Sequence, residues 1–303
     1  MDPRRAIGLD LGGTQLKAGL VDPAGGVSGF LCLPARAAES ADAPLEVAAA
    51  AVRELGADGS LPPVGLGCPG VIDPASGALV GRTPHLPHWD SLPVRARLAG
   101  LIGRDLVVDN DANLAALAEH RVGAARGARV SLTVTVGTGI GCGVVVDGRV
   151  LRGAHGGAGE LGHLPLDGRY PCRCGVPGCV EPECSGSGLV ARAREAGLAA
   201  GSAEAVFALA AAGDARAARL VGRMCDRLGA LIGAAVQLLD PEVVVVGGGV
   251  SAAGEALFGP LRAAVARHAL ESHRRGLRVE RAALGERAGV VGAGLAALES
   301  AGA

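Results

Sequence analysis

Three cysteines and a histidine stand close together in the middle of the chain, in a pattern that could bind a metal ion. Cys172, Cys174 and Cys179 alternate with turn-forming glycines and a proline, and His163 precedes them. Three thiolates and one imidazole nitrogen suit a tetrahedral structural Zn²⁺ site, which leaves no coordination position open for chemistry. Cys184 is close enough in sequence to compete as a ligand. A chance cluster of buried cysteines or a disulfide is the weaker alternative, because Cys-x-Cys followed by a glycine-rich turn is unusual.

Short polar side chains surround this cysteine knuckle in the sequence. Glu160 and Glu181 stand on either side of it, and a closed metal site that fixes two carboxylates is a suitable scaffold for a polar pocket. Together with His163, Asn110 and Asp111 they form a set that could recognise vicinal sugar hydroxyls. Each sugar hydroxyl both donates and accepts a hydrogen bond, so such a set matches it chemically.

Two strand–turn–strand segments have a tip made of glycine and threonine. The first tip is Gly12-Gly13-Thr14 and the second is Gly137-Thr138-Gly139. Backbone N–H groups at glycine tips can approach an oxyanion closely, and two facing tips could hold a polyphosphate from both sides. Asp10, just before the first tip, is placed to bind Mg²⁺ directly or through water. One such tip alone is more often an ordinary hairpin, but both together with Asp10 favour a phosphate site.

A third glycine cluster, Gly247-Gly248-Gly249, follows the apolar run 243–246. Such glycines suit either a nucleotide or tight packing between a strand and a helix, and their spacing alone does not choose between the two.

Asn110 and Asp111 lie where a strand is expected to give way to a helix, which is where α/β folds place their ligands. The simpler alternative is that both residues only cap the helix. A helix N-terminus is expected to lower the pKa of Asp111, which would make it a weak base. Phosphoryl transfer tolerates such a base, because it needs mainly positioning and late acceptance of a hydroxyl proton.

Strands and helices alternate along the chain with short connections, which predicts an α/β fold. Strands are expected at 6–10, 16–21, 64–68, 106–108, 131–136, 142–146 and 243–246. Helices are expected at 44–55, 92–102, 112–122, about 188–212, 215–239, from about 252, and 290–298. The repeated glycine-tipped hairpin suggests two similar lobes facing each other.

Composition excludes several classes of protein. The 303 residues have a net charge of −1 and only 2% aromatic side chains, which argues against a zinc-knuckle nucleic-acid binder. No apolar run is long enough to span a bilayer, and no signal segment is expected at the N-terminus. Lone cysteines in apolar surroundings suit a reducing compartment, so a cytoplasmic protein of about two domains is expected.

Taken together, these motifs resemble those of the ROK family of bacterial sugar kinases. The motifs that match, in the family's order, are Asp10-Leu-Gly-Gly-Thr14, Gly67-Cys-Pro-Gly70, Leu86-Pro-His-Trp89, Asn110-Asp-Ala-Asn113, Val136-Gly-Thr-Gly139, Gly159-Glu-Leu-Gly-His163, the cysteine knuckle, Ser185-Gly186 and Val246-Gly-Gly-Gly249. They cover nearly the whole chain. Glu160-x-x-His163 with the knuckle is the specific part, whereas glycine tips occur throughout the actin/hexokinase superfamily.

The resemblance implies an actin/hexokinase-like (ribonuclease H-like), two-lobed α/β kinase with ATP and Mg²⁺ in a central cleft. Its implied reaction is phosphorylation of a hexose on the 6-hydroxyl, with glucose the expected substrate. By position, Asp111 matches the family's catalytic base, and Asn110, Glu160, His163 and Glu181 match its sugar ligands. The zinc site matches His163 with the three knuckle cysteines. A homodimer or homotetramer is implied as well.

The expected lobes are a small one at 1–112, to which a helix at about 290–303 returns, and a large one at 113–289 with the knuckle. Kinases for N-acetylmannosamine, fructose or allose would use nearly the same residues and remain alternatives. A non-catalytic sugar-binding regulator is disfavoured by the intact Asp10, Asp111 and both tips. The first strand is expected at about Ala6, with no winged helix ahead of it. Pro182 is expected to delay the start of a helix until after Glu181.

Overall fold

Five strands from the first part of the chain form one mixed sheet, in the order β3-β2-β1-β4-β5. The computed structural model describes residues 5–56 and 62–302. The strands of this sheet are β1 (Ala6–Leu11), β2 (Gln15–Val21), β3 (Val27–Pro34), β4 (Val64–Cys68) and β5 (Val107–Asn110). Strands β1, β4 and β5 run parallel, whereas β2 returns antiparallel to β1. The carboxyl ends of β1, β4 and β5 therefore share one edge of the sheet.

A second five-stranded sheet has the order β10-β9-β6-β7-β8. Its strands are β6 (Val130–Val136), β7 (Ile140–Val146), β8 (Arg149–Val150), β9 (Val243–Gly247) and β10 (Arg278–Arg281). Strand β9 is buried along its whole length and pairs in parallel with β6 on one side and β10 on the other. A continuous valine run is typical of such a doubly flanked parallel strand.

Ten helices complete the described part of the chain. They are α1 (Ala43–Leu55), α2 (Val94–Ile102), α3 (Asp111–Val122), α4 (Glu181–Cys184), α5 (Gly186–Glu195), α6 (Ala203–Ala211), α7 (Ala215–Leu239), α8 (Glu255–His268), α9 (Glu271–Arg274) and α10 (Ala288–Gly302). None of the described helices has both the length and the apolar character that a membrane span requires.

Helix α10 packs directly on the first sheet, and glycines make this close approach possible. Gly8 and Gly65 are paired neighbours on β1 and β4. A Cβ atom at Gly8 would lie 2.0 Å from the carbonyl oxygen of Val290, and one at Gly65 would lie 2.0 Å from that of Ala293. Any larger side chain at either position would push α10 off the sheet.

The chain divides into two compact units. Unit 1 consists of Met1–Arg126, Gly143–Ala158 and Glu286–Ala303. Unit 2 consists of Gly127–Cys142 and Gly159–Gly285. The lobe boundaries expected from the sequence stay a prediction. The part of the N-terminus at residues 1–4, where no signal segment is expected, lies outside the described residues.

Most expected elements are present, and the differences have local causes. The single helix expected at 188–212 is wrong: Gly197, at φ +71°, follows the end of α5, and the Ser202 hydroxyl caps a new helix, α6, by accepting from Ala205 N–H. The delayed start expected after Glu181 is also wrong, because α4 includes Glu181. Pro182 is then the second helical residue, where the missing N–H leaves no helical hydrogen bond unmade.

Candidate functional site

In unit 1, two carboxylates meet at the shared carboxyl edge of the parallel strands. Asp10 lies near the end of β1, and Asp111 opens α3 directly after β5. Burial raises the pKa of Asp10 to about 7, the negative charge of Asp111 adds to this, and Lys17 only partly opposes it. Two carboxylates that act on each other electrostatically at one edge of a sheet are suitable ligands for a hard divalent cation such as Mg²⁺.

The pKa of Asp111 is raised, so the lowered pKa expected from the sequence is wrong. Burial is the largest cause and outweighs the hydrogen bond from the Ala112 N–H group and the nearby His85, both of which lower it. The helix N-terminus does act on Asp111, but loss of water around the carboxylate acts more strongly. A base with a raised pKa accepts a proton more readily, which favours a catalytic carboxylate.

Asn110 is the N-cap of α3. Its side-chain oxygen accepts from the backbone N–H groups of Ala112 at 2.9 Å and Asn113 at 3.1 Å, and its amide nitrogen donates to the Gly70 carbonyl at 3.1 Å. Asn110 therefore does cap the helix. One amide hydrogen remains beyond these bonds, so capping does not prevent Asn110 from donating to a hydroxyl.

The side chain of Asp109, on β5, holds this strand-to-helix junction in place through bonds to three residues. Its buried carboxylate accepts from Arg152 Nη2 at 2.7 Å and from Asn113 Nδ2 at 3.0 Å. The Asn110 backbone N–H donates to it as well, at 2.7 Å. Sequence reasoning missed Arg152, because nothing local connects it with a residue on β5.

The first glycine tip closes the β1–β2 hairpin. Gly12 N–H donates to the Gln15 carbonyl at 2.8 Å, and the Thr14 carbonyl accepts from Ala35 N–H at 2.9 Å. A Cβ atom at Gly13 would lie 2.7 Å from the His85 carbonyl oxygen. The tip is therefore packed on one side, and Thr14 itself is exposed.

In unit 2, the second glycine tip joins β6 to β7 and contacts one of the expected sugar ligands. The Glu181 carboxylate accepts a hydrogen bond from Ile140 N–H at 2.9 Å, immediately after the tip. A Cβ atom at Gly139 would lie 2.6 Å from Oε2 of the same glutamate. One carboxylate oxygen of Glu181 thus holds the backbone at the tip, and the other can accept from a ligand.

The expected metal ligands come together in unit 2. One ligand atom from each of His163, Cys172, Cys174 and Cys179 lies within 4.8 Å of the others. His163 Nδ1 is 3.5 Å from Cys172 Sγ, and Cys174 Sγ is 3.5 Å from Cys179 Sγ. Ligand atoms around a tetrahedral Zn²⁺ stand roughly 3.4–3.8 Å apart, so the residues fit this ion.

Cys184 is not part of this group of ligand atoms in the described ranges. Its thiol is buried on α4, where burial and the charge of Glu183 raise its pKa and the charge of Arg227 lowers it. The competing-ligand alternative therefore has no geometric support.

His163 connects the metal cluster with Glu160. Its Nδ1 faces Cys172, and its Nε2 lies 3.8 Å from Glu160 Oε2. An imidazole that binds a metal through one nitrogen can present the other to a second partner.

In the third glycine cluster, Gly248 packs closely against a neighbouring strand, whereas Gly249 has open space beside it. Gly248 has φ +80°, and a Cβ atom there would lie 2.4 Å from the Val136 carbonyl oxygen. At Gly249, by contrast, the described residues leave the space within 4 Å of a Cβ atom open. Gly248 therefore serves strand packing, and Gly249 leaves room for a ligand, whereas Gly247 is buried in β9.

The chain belongs to the ROK family, whose profile matches residues 6–300. A glucokinase of Thermotoga maritima is 34% identical over 308 residues, with 97% of each chain covered. An N-acetylmannosamine kinase of Citrobacter koseri is 38% identical over 252 residues, which cover 82% of this chain and 84% of the relative. The crystal structure of a ROK family glucokinase from Streptomyces griseus, in complex with glucose and AMPPNP, matches with a TM-score of 0.85 at 31% identity, covering 97% of this chain and 99% of that one.

These comparisons confirm the family recognised from the motifs. They also confirm the α/β, actin/hexokinase-like fold class, because solved ROK kinases match over nearly the whole chain.

Proposed function

We propose that this protein is an ATP-dependent hexose kinase that converts glucose to glucose 6-phosphate. Its membership of the ROK family and its full-length similarity to glucokinases support the reaction class. The observation that carries the proposal is the Asp10–Asp111 pair, which puts a candidate cation ligand beside a carboxylate with a raised pKa.

Asp111 is the proposed catalytic base. It accepts the proton of the sugar 6-hydroxyl as that oxygen attacks the terminal phosphorus of ATP, and the bond from that phosphorus to the bridging oxygen breaks, releasing ADP. Burial raises the pKa of the carboxylate and so its proton affinity, which suits this role. The Asp109–Arg152 pair holds the junction from which Asp111 projects.

Asn110, Glu160, His163 and Glu181 are the proposed hexose ligands, together with Asp111. The spare amide hydrogen of Asn110 and the second oxygen of Glu181 support this, since each keeps a hydrogen-bonding group beyond its bonds to the protein. The Nε2 atom of His163 supports it in the same way, because it is directed toward Glu160 and away from the cysteines.

The proposed nucleotide contacts are the glycine tips and the third glycine cluster. Gly12, Gly13 and Thr14, with Gly137, Thr138 and Gly139, bind phosphates, and Gly249 leaves space for the remainder of the nucleotide beside Gly247 and Gly248. Asp10 is the proposed ligand of Mg²⁺, directly or through water, and that ion would neutralise charge on the phosphates.

His163, Cys172, Cys174 and Cys179 are the proposed ligands of a structural Zn²⁺. Their spacing and their three-sulfur, one-nitrogen chemistry support this assignment. The resemblance to ROK kinases additionally predicts a homodimer or homotetramer in the cytoplasm with a role in glycolysis, and these stay predictions.

N-acetylmannosamine is the second candidate substrate, because a kinase for that sugar is 38% identical over most of the chain. Glucose is preferred, since the glucokinase similarity extends over 97% of both chains. The reaction is tested by incubating the protein with ATP, Mg²⁺ and glucose and locating the phosphate by phosphorus–proton NMR. A phosphate on the 6-hydroxyl supports the proposal, and unchanged glucose contradicts it.

A further inference from the structure

The second glycine tip is attached to the start of α5 through its carbonyl groups. The Gly186 N–H group donates to the Gly137 carbonyl oxygen at 2.7 Å. The Ser187 hydroxyl donates to the Thr138 carbonyl oxygen. Two successive carbonyls of the tip are therefore bound to two successive residues of one helix.

Peptide geometry converts this attachment into a direction for the N–H groups. In a trans peptide the carbonyl and the N–H group of the next residue point to opposite sides, and the described chain has no cis peptide. A Gly137 carbonyl that faces α5 directs the Thr138 N–H away from the helix. Likewise, a Thr138 carbonyl that faces Ser187 directs the Gly139 N–H away from it. Two adjacent donors thus point away from α5.

The close approach of helix and tip depends on the small residue at Gly186. A Cβ atom at Gly186 would lie 2.9 Å from the Gly137 carbonyl oxygen, tighter than real side chains tolerate. At Gly137 itself, the described residues leave the space within 4 Å of a Cβ atom open. The tip is therefore supported on one face and open at Gly137.

Only one of the two bonds from α5 depends on a side chain. The Gly186 bond comes from the backbone, whereas the Ser187 bond comes from an exposed hydroxyl that also lies 3.2 Å from the hydroxyl of Ser185. Ser185 is the N-cap of α5, and its side-chain oxygen accepts from Gly188 N–H at 3.0 Å. Ser187 can therefore be changed without removing the helix cap.

We propose that Ser187 is a positioning residue for the phosphoryl donor: its hydroxyl fixes the Thr138 carbonyl and so directs the Gly139 N–H at a phosphate oxygen. The inference rests on the proposed function, in which this tip binds the phosphates of ATP. Ser187 acts through the tip backbone, so its effect falls on nucleotide binding and leaves hexose binding unchanged.

The test is calorimetric binding of AMPPNP with Mg²⁺, without sugar, to the wild type, Ser187→Ala and Ser187→Thr. Loss of one hydrogen bond predicts about three- to tenfold weaker AMPPNP binding by Ser187→Ala. Ser187→Thr keeps the hydroxyl and restores affinity to within about twofold. Glucose binding, measured separately, remains at the wild-type value in both variants.

Ser202→Ala is the matched control, because Ser202 also caps a helix of unit 2 and its hydroxyl bonds within that helix, to Ala205 N–H and to the Glu204 side chain. It should bind AMPPNP like the wild type. Equal AMPPNP affinity of Ser187→Ala and wild type would overturn the inference, as would a matching loss of glucose affinity or an equal effect of Ser202→Ala. If the wild type binds AMPPNP but phosphorylates no hexose, the proposed function fails, and the Ser187 comparison still decides this inference.

Discussion

The carboxyl group of Asp10 lies directly against the backbone of Gly289, the second residue of α10. A Cβ atom at Gly289 would stand 2.4 Å from Asp10 Cγ and 2.5 Å from Oδ2. The C-terminal helix thus forms one wall around the carboxylate proposed to bind Mg²⁺. The wall helps to enclose Asp10, and burial is the main reason for the raised pKa of this group.

Gly289→Ala is expected to displace the Asp10 carboxylate. Alanine favours a helix more than glycine does, so α10 itself should not weaken. The added methyl group nevertheless forces Asp10 to move, and a displacement of about 1 Å at a reacting site can cost roughly 10–100-fold in catalytic efficiency. We expect a fall of this size in kcat/KM for MgATP, with glucose affinity retained, in steady-state kinetics.

Gly222→Ala is the control for this prediction, because Gly222 lies in α7 and the described residues leave open space where its Cβ atom would be. That variant should keep wild-type kinetics. Normal MgATP kinetics in Gly289→Ala would mean that Asp10 does not contribute to nucleotide or metal binding.

Asp111→Asn is expected to abolish turnover while largely sparing sugar binding. Asparagine keeps the size of the side chain but removes the proton acceptor, and loss of a positioned general base costs about 10²–10⁴-fold in rate. Rate and glucose affinity are measured separately, by ADP release and by calorimetry. Asp147→Asn, the same change in an exposed turn, serves as control. A variant at position 111 with near-normal turnover would make Asp111 only part of the helix start.

The stability of the ligand-free protein is expected to depend on Asp10 and on pH. The folded-state pKa of this group is raised from 3.8 to about 7, so the folded chain retains a proton that the unfolded chain loses. Its contribution therefore lowers stability as pH rises from about 4 to about 7, by on the order of 4 kcal/mol in full. Asp10→Asn cannot ionise and should escape this loss.

Thermal unfolding without divalent ions, followed from pH 4 to pH 8, measures the effect. The melting temperature of Asp10→Asn relative to the wild type should increase across this range and level off above pH 7. A constant difference between the two proteins would show that Asp10 titrates at its ordinary pKa.

Zinc content is the measurement for the cysteine knuckle. The purified protein should contain about one zinc per chain, and Cys174→Ala should lose it. Hexose affinity should fall with the metal, because His163 would lose the bond that orients its ring. AMPPNP binding should persist.

Cys184→Ala is the matched control for the metal, since this thiol is buried nearby but lies outside the ligand group. It should keep zinc. If Cys174→Ala keeps zinc and only the double variant loses it, Cys184 is a substitute ligand. A zinc-free wild type with full activity contradicts the metal assignment.

Features with a local cause could be predicted from the sequence. The three cysteine ligands lie within the short segment 172–179, so their convergence could be predicted without any contact from distant parts of the chain. Helix α7 was predicted with its observed bounds, because its apolar period is regular and Asp240 takes a left-handed conformation before Pro241. The break between α5 and α6 also had a local signal, Gly197 followed by Ser202, which the alanine-rich composition concealed.

Features that depend on partners far away in the chain could not be predicted. Gly289 contacts Asp10 from the opposite end of the sequence. Arg152 lies just after β8 and forms an ion pair with Asp109 on β5. The pKa of Asp111 was predicted in the wrong direction because burial is a property of the packed structure. Strand β10, Arg278–Arg281, lies at a sheet edge and lacks the apolar run by which β9 could be recognised.

A coupled ADP-release assay with ATP, Mg²⁺ and a panel of sugars tests hexose kinase activity most directly. The panel contains glucose, N-acetylmannosamine, fructose and allose, each measured for kcat/KM. We expect ADP release that depends on the sugar, with the highest kcat/KM for glucose. No sugar-dependent ADP release would contradict hexose kinase activity, and a higher kcat/KM for N-acetylmannosamine would contradict the assignment of glucose as the substrate.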